Sequence, residues 1–259
     1  MQITTLTSTV SDNFFYAIED EGDLLLIDPV DAELALRHAH QLQPRRVRVL
    51  ATHGHPDHVM GNDRVKGALD CEVLASGHAR TFPVPCDVAL SDGDVVQVGA
   101  SRWRVRHAPG HTDGHLVLQH PGHLISGDVF FVGGTGHCKF GGNPTVLYRT
   151  YHQTLRDVPD ETIFYPGHDY AARNMEFCLS VEPDNAGALA LKERIRSWTR
   201  EDGPFLTTLG HERSYNPFHR VDEPTLQQRM RDEHPQLWPA DVTDAEATFR
   251  VLRALRDVF

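Results

Sequence analysis

Strand-sized apolar runs broken by turns up to about residue 170, followed by helical periodicity to the end, predict an α/β protein. The expected architecture is two packed sheets covered by helices, closed by a helical C-terminal part. Three features carry this expectation. Short β-rich runs recur with Gly or Pro between most of them, only a few segments in that half have a helical period, and the change near residue 170 occurs without a flexible linker.

Taken in order, Gln2–Thr7, Phe14–Ile18 and Leu24–Asp28 read as strands, the last two joined through Asp20-Glu21-Gly22-Asp23 as a hairpin. Asp31–Leu42 places Ala32, Leu34, Ala35, Ala39 and Leu42 close to helical period. Val47–Ala51 reads as a buried strand, and Val73–Ala75, Val95–Val98, Trp103–Ala108, His115–Gln119 and His123–Ser126 as further short ones. Thr145–Leu155 reads as a helix and Thr162–Tyr165 as a last strand. Beyond residue 171, Ala171–Val181 and Ala186–Thr199 are helical, the second with Leu191, Ile195 and Trp198 on one stripe. Ala245–Phe259 repeats the pattern with Phe249, Leu252, Leu255 and Phe259, and the Pro-punctuated stretch before it reads as loop. The expected division is a unit over residues 1–170 and a helical unit over 171–259.

Composition narrows the function. The 259 residues are 40% apolar and 24% charged, so the chain has material for a core, and no apolar run approaches the roughly 20 residues that span a bilayer. The N-terminal segment carries neither a basic nor an apolar region of secretory type, so a cytoplasmic protein is expected. A net charge of -11 argues against a nucleic-acid binder, which needs a basic face. Cys71, Cys86, Cys138 and Cys178 have no paired spacing and read as free thiols. The imbalance is elsewhere: 17 His stand against three Lys. That excess directs the search to metal.

Thr52-His53-Gly54-His55-Pro56-Asp57-His58 follows the strand Val47–Ala51 directly. His53 and His55, two apart on extended chain, point the same way and can chelate one ion, while Pro56 opens a helical turn that carries Asp57 and His58 back toward a second. His111 in Pro-Gly-His, Asp128 in Gly-Asp and His168 in Pro-Gly-His each follow a predicted strand. If those strands run the same way, their loops meet at one edge of the core. An isolated His-x-His is ordinarily a surface pair, but five His and two Asp at strand ends make two ions with open water positions the better reading. The other histidines lack this context, although His115 and His137 lie near the site in sequence.

Residues 52–58 with His111, Asp128 and His168 resemble the metallo-β-lactamase superfamily. The resemblance implies an αββα sandwich in which His53, His55 and His111 bind one metal, Asp57, His58 and His168 the other, and Asp128 bridges them. A bridging carboxylate counts against antibiotic hydrolysis. Pro166-Gly167-His168-Asp169-Tyr170, Glu182-Pro183-Asp184-Asn185, Glu212–Arg220 and the ending Arg253–Phe259 are similar to glyoxalase II, the hydroxyacylglutathione hydrolases, over nearly the whole chain. By that similarity Lys139, Tyr170, Arg253 and Arg256 hold the glutathione, whose two carboxylates suit cations on an acidic body. Two departures stand out. The loop after Asp128 is longer than the family's, and Gly141 replaces a second Tyr near the substrate.

The chemistry expected is metal-assisted hydrolysis of S-D-lactoylglutathione, with a water activated between two ions attacking the thioester carbonyl and Asp57 and Asp128 flanking it. The leaving thiolate, with an intrinsic pKa of about 8.5, needs little acid assistance, which fits motif loops that hold no obvious proton donor. Zinc suits the His and Asp ligands, with iron and manganese as alternatives. A second reading from another enzyme class is a glutathione persulfide dioxygenase with one iron at His53, His55 and His111 or Asp128. It shares residues 52–58, so those cannot separate the two. Tyr215-Asn216-Pro217-Phe218 and the basic last helix favour the hydrolase.

Overall fold

The inner strands of the first sheet alternate their apolar side chains between two cores, and this fixes the layering. In the computed structural model, which describes Met1 to Phe259, that sheet has the order β1 (Gln2–Thr7), β2 (Phe14–Asp20), β3 (Asp23–Ile27), β4 (Arg46–Leu50), β5 (Glu72–Ser76), β6 (Val88–Leu90). The β2–β3 turn has positive φ at both Glu21 and Gly22, as a tight two-residue hairpin needs. Helices α1 (Ala32–Leu42), α2 (Pro56–Val59) and α3 (Asn62–Leu69) connect its parallel half. Leu24 and Leu26 of β3 pack with Ala35, Ala39 and Val65 on the helical side. Leu25 and Ile27 face the other way, toward Trp103, Leu118 and Ile125 of the second sheet.

That second sheet contains β7 (Val95–Val98), β8 (Ser101–His107), β9 (Leu116–His120), β10 (His123–Gly127) and β13 (Ile163–Pro166), ending at β14 (Thr207–Thr208). Strands β11 (Phe130–Phe131) and β12 (Gly134–Thr135) form a separate small ribbon after β10. The outer face of the second sheet, with Leu124 and Phe164, is covered by α4 (Pro144–Arg149), α5 (Ala171–Val181), α6 (Ala186–Ile195), α7 (Leu209–Tyr215), α8 (Pro224–Glu233) and α9 (Asp244–Arg256) in one apolar cluster. The αββα arrangement with C-terminal helices is the predicted one.

Helix starts follow their caps. Asp31 accepts from Leu34 N, Asn143 from Thr145 N and Val146 N ahead of Pro144, and Thr243 from Glu246 N. Several elements depart from the sequence expectation. Thr145–Leu155 is not one helix but α4 followed by a π-helical turn over Thr150–Thr154. Helices α3 and α8 had escaped periodicity because each buries only two residues on a largely polar sequence: Asn62 and Val65 in α3, Leu226 and Met230 in α8. The stretch read as loop also contains α7, and β6, β11, β12 and β14 are too short to register as strands.

Strands β3, β4, β8, β10 and β13 all end at the same rim. Asp28, His53, His111, Asp128 and His168 occupy the loops that leave them.

Candidate active site

Five histidines converge here, each with one ring nitrogen held from outside. His111 Nδ1 donates to the His137 carbonyl at 2.7 Å, and His55 Nε2 to that of Phe140 at 3.2 Å. His58 Nδ1 donates to Asp28 at 2.9 Å, and His168 Nδ1 to Asp12 at 3.1 Å. Thr52 Oγ1, which itself donates to Asp28, accepts from His53 Nδ1 at 3.0 Å. With the outer nitrogens so engaged, the free lone pairs point inward. His53, His55 and His111 form one group and Asp57, His58 and His168 another, the ligating atoms of each within 4.8 Å of one another. Asp128 lies between them, Oδ2 3.5 Å from both His111 Nε2 and His168 Nε2, and Oδ1 3.5 Å from His58 Nε2.

This set fits divalent metal. His55 Nδ1 stands 3.1 Å from His53 Nε2 and 2.9 Å from His111 Nε2. Two imidazoles on one tetrahedral ion, at metal–nitrogen distances of 2.0–2.1 Å, have nitrogens about 3.3 Å apart. Inward lone pairs this close repel unless a cation lies among them. Asp128 Oδ1 is buried without a hydrogen-bond partner, an expensive state for a carboxylate oxygen that a bridging role relieves. The trio Asp28, His53 and His58 also clusters, but Asp28 holds the outer nitrogen of His58 and so orients a ligand.

Charge divides the two groups. Burial holds His53 far below the ordinary histidine range and pushes His111 down to about 3, so both are neutral, as ligation requires. Burial acts the same way on His58 and His168, but Asp128 outweighs it, together with Asp28 at His58 and Asp12 and Asp57 at His168. His58 rises to about 10 and His168 rises further. Asp57 and Asp128 are held ionised despite their burial, chiefly by His168 and His58. Without a cation the inward nitrogens of His58 and His168 therefore hold protons, which a divalent ion must displace to use those lone pairs.

Sequence reasoning missed Asp12, Asn13 and Asp28. Asn13 Nδ2 lies 3.2 Å from His58 Nε2, 3.3 Å from His168 Nε2 and 3.4 Å from Asp57. Asp28 takes a left-handed φ of 52°, uncommon for a residue with a side chain. It secures Thr52 and His58 from that position. The only available signal was that Asp28 ends a strand beside the His-rich loop. His115 is also drawn in: its ring stacks on His53 and its Nε2 accepts from Asp128 N at 3.2 Å.

A cavity of about 730 Å³ opens over both groups. Its far wall carries Lys139, Tyr170, Arg173, Asn174, Arg253 and Arg256, and Phe82, Phe131 and Phe140 supply apolar surface. Tyr170 stacks on the His168 ring at 5.0 Å. Lys139 Nζ donates to the Asp257 carbonyl and Arg256 to Asn174 Oδ1. Arg253 is only 4% exposed. Its Nη1 donates to the carbonyls of Thr135 and Gly136, and its Nη2 pairs with Asp257 at 2.9 Å. It therefore fastens the loop after Asp128 as well as lining the cavity. Gly136 in that loop is obligatory, since a Cβ there would stand 2.1 Å from the Asp128 carbonyl and 2.6 Å from His111 Nδ1.

The fold and this two-group site define a metallo-β-lactamase-superfamily protein, and the model of that superfamily matches residues 9–168. The model of the hydroxyacylglutathione hydrolase C-terminus matches residues 169–259. A hydroxyacylglutathione hydrolase of Nitrosococcus oceani is 36% identical over 99% of this chain and 98% of its own. The chain belongs to the hydroxyacylglutathione hydrolase family. Among solved structures, ETHE1 from Myxococcus xanthus is 26% identical with a TM-score of 0.65, covering 87% of this chain and 91% of its own. TTHA1623, solved in a di-iron-bound form, is 26% identical with a TM-score of 0.60, covering 83% and 99% respectively. No helix of this chain is long and apolar enough to cross a membrane.

Proposed function

We propose that the chain hydrolyses S-D-lactoylglutathione and related 2-hydroxyacyl thioesters of glutathione to the hydroxy acid and free glutathione. The observation that carries this is one cavity with two metal-ligand groups on its floor and cations on its opposite wall. In this reading His53, His55 and His111 hold one divalent ion, Asp57, His58 and His168 the second, and Asp128 both. Divalent ions held by these residues would lower the pKa of a bound water toward neutrality and polarise the thioester carbonyl. Asp57, 43% exposed at its side chain, reaches the cavity and orients the attacking water. Lys139, Tyr170, Arg253 and Arg256 receive the glutathione, the cations pairing with its two carboxylates.

Zinc is the metal we assign, on its preference for nitrogen and oxygen donors, with iron and manganese in competition because one donor set serves all three. Residues 1–170 form the catalytic unit and 171–259 the substrate-binding unit. The four free cysteines fit a reducing cytoplasm.

The test is turnover of S-D-lactoylglutathione by purified protein, with glutathione persulfide run in parallel on an oxygen electrode. Thioester loss without oxygen uptake, abolished in His55→Ala, is the expected result. Oxygen uptake with persulfide and no thioester turnover would sink the hydrolase reading. A single-iron oxygenase would leave Asp57, His58 and His168 without a metal, although they are clustered as tightly as the first group.

A further inference from the structure

His137 lines the cavity and has no place in the ligand set. Its ring stands 5.1 Å from His111, 6.1 Å from His55 and 5.3 Å from Phe140. The Lys139 backbone N–H donates to His137 Nδ1 at 3.3 Å. A nitrogen that accepts carries no proton, so the neutral ring bears its hydrogen on Nε2, and that N–H has no partner within the protein. The neighbouring backbone fixes where the ring stands. The Gly136 carbonyl accepts from Arg253, the His137 carbonyl from His111, and Lys139 reaches the last helix through Asp257. His137 therefore stands between the histidine floor and the cationic wall.

We propose that His137 is a further catalytic residue, donating its Nε2–H to the thioester sulfur as the C–S bond breaks. The inference rests on the thioester reading above. A substrate with its carbonyl at the floor and its carboxylates at the cations must place the sulfur between them. One water loses a proton to solvent as its oxygen bonds to the acyl carbon, the C–S bond breaks, and its electron pair goes to sulfur, so the overall reaction releases one proton. The new carboxylic acid gives up its proton and the thiolate gains one through solvent, leaving carboxylate and thiol. The imidazole stays neutral throughout: its N–H stabilises the charge that develops on sulfur without passing it a proton, so the step fits a thiolate that leaves with little acid assistance.

The test uses the metal-loaded enzyme in single turnover, with D-lactoyl thioesters of glutathione and of an aryl thiol, a far better leaving group. Asn at this position keeps an oxygen for the Lys139 N–H but cannot reach the sulfur, whereas the longer Gln places an amide N–H close to that of Nε2. His137→Asn should slow the glutathione ester about tenfold to a hundredfold and the aryl ester little. His137→Gln should recover most of the loss, with metal content unchanged in both. Imidazole NMR of the isotope-labelled protein should find the Nε2–H tautomer. Equal slowing of both esters, no slowing, or an Nδ1–H tautomer overturns the assignment. A wild-type enzyme that cleaves neither ester removes the thioester reading itself, and this one with it.

Discussion

At the residue scale the site is shaped by atoms that are missing as much as by ligands. Gly167 lies beside His168, and a Cβ there would stand 2.3 Å from Asp128 Oδ1 and 2.8 Å from His58 Cε1. Those atoms belong to the buried Asp128 carboxylate and the buried His58 ring, so neither has room to move. Gly167→Ala is expected to keep the far-ultraviolet circular dichroism of the wild type while metal content falls below two ions per chain. Full metal occupancy in the variant would show that the site is softer than its packing implies. The outer hydrogen bonds matter in the same way. Asp28, Asp12, Thr52 and two loop carbonyls set which nitrogen each histidine offers, and with that the ligand geometry.

At the scale of elements, α7 ties the C-terminal helices to the loop after Asp128 through one buried carboxylate. Glu212 accepts from Gly133 N at 2.9 Å and Asn216 Nδ2 at 2.8 Å, and from the Tyr215 hydroxyl. Burial raises its carboxyl to about 7, against the pull of those three donors. An unfolded glutamate titrates near pH 4.3. Because the folded value is the higher one, the protonated form favours the fold: its contribution is complete below about pH 4.3 and is lost as pH rises through about 7. Glu212→Gln mimics the protonated acid and removes this titration. Urea midpoints at pH 5 and pH 8 should fall more steeply for the wild type than for the variant, by ~3 kcal/mol of unfolding free energy at most. Parallel pH dependences in the two proteins would assign the slope to other groups. The π-helical turn serves the same loop, since it carries Tyr151, whose hydroxyl donates to the Val129 and Gly134 carbonyls.

At the scale of the whole molecule the cavity wall stands against the acidic balance. Four cations line the cavity wall of a chain with net charge -11. Burial, with Arg253 and Arg173 nearby, pushes Arg256 down to about 10, a sign of positive charge gathered in excess of its partners. The floor has the opposite demand, and metal meets it. A ligand that binds the folded chain alone stabilises it by mass action. Chelation should therefore lower the thermal midpoint, and two equivalents of divalent ion should restore it. A midpoint indifferent to chelator would mean that the histidine cluster is held by the fold without metal.

The sequence by itself determined the two-sheet fold and the family, and it picked out the residues that the structure gathers into the two candidate metal groups. Metal ligation needs particular residue types at fixed short spacings, and His53 to His58 display four of the seven within six positions. Sheet layering needs period two, which survives in strands as short as five residues. Helices α3 and α8 were illegible because their apolar stripes hold so few residues that tertiary packing, not periodicity, keeps them folded. Asp12 and Asn13 carry no local signal and Asp28 only its place at a strand end, because each acts on a histidine remote in the chain. Arg253 and Arg256 are spaced alike on the last helix. Only the packing of that helix against the loop after Asp128 decided that Arg253 is buried on two carbonyls while Arg256 meets Asn174 at the cavity wall. A side chain's partners follow from what the fold brings within about 3 Å of it, and that distance is set by contacts far apart in sequence.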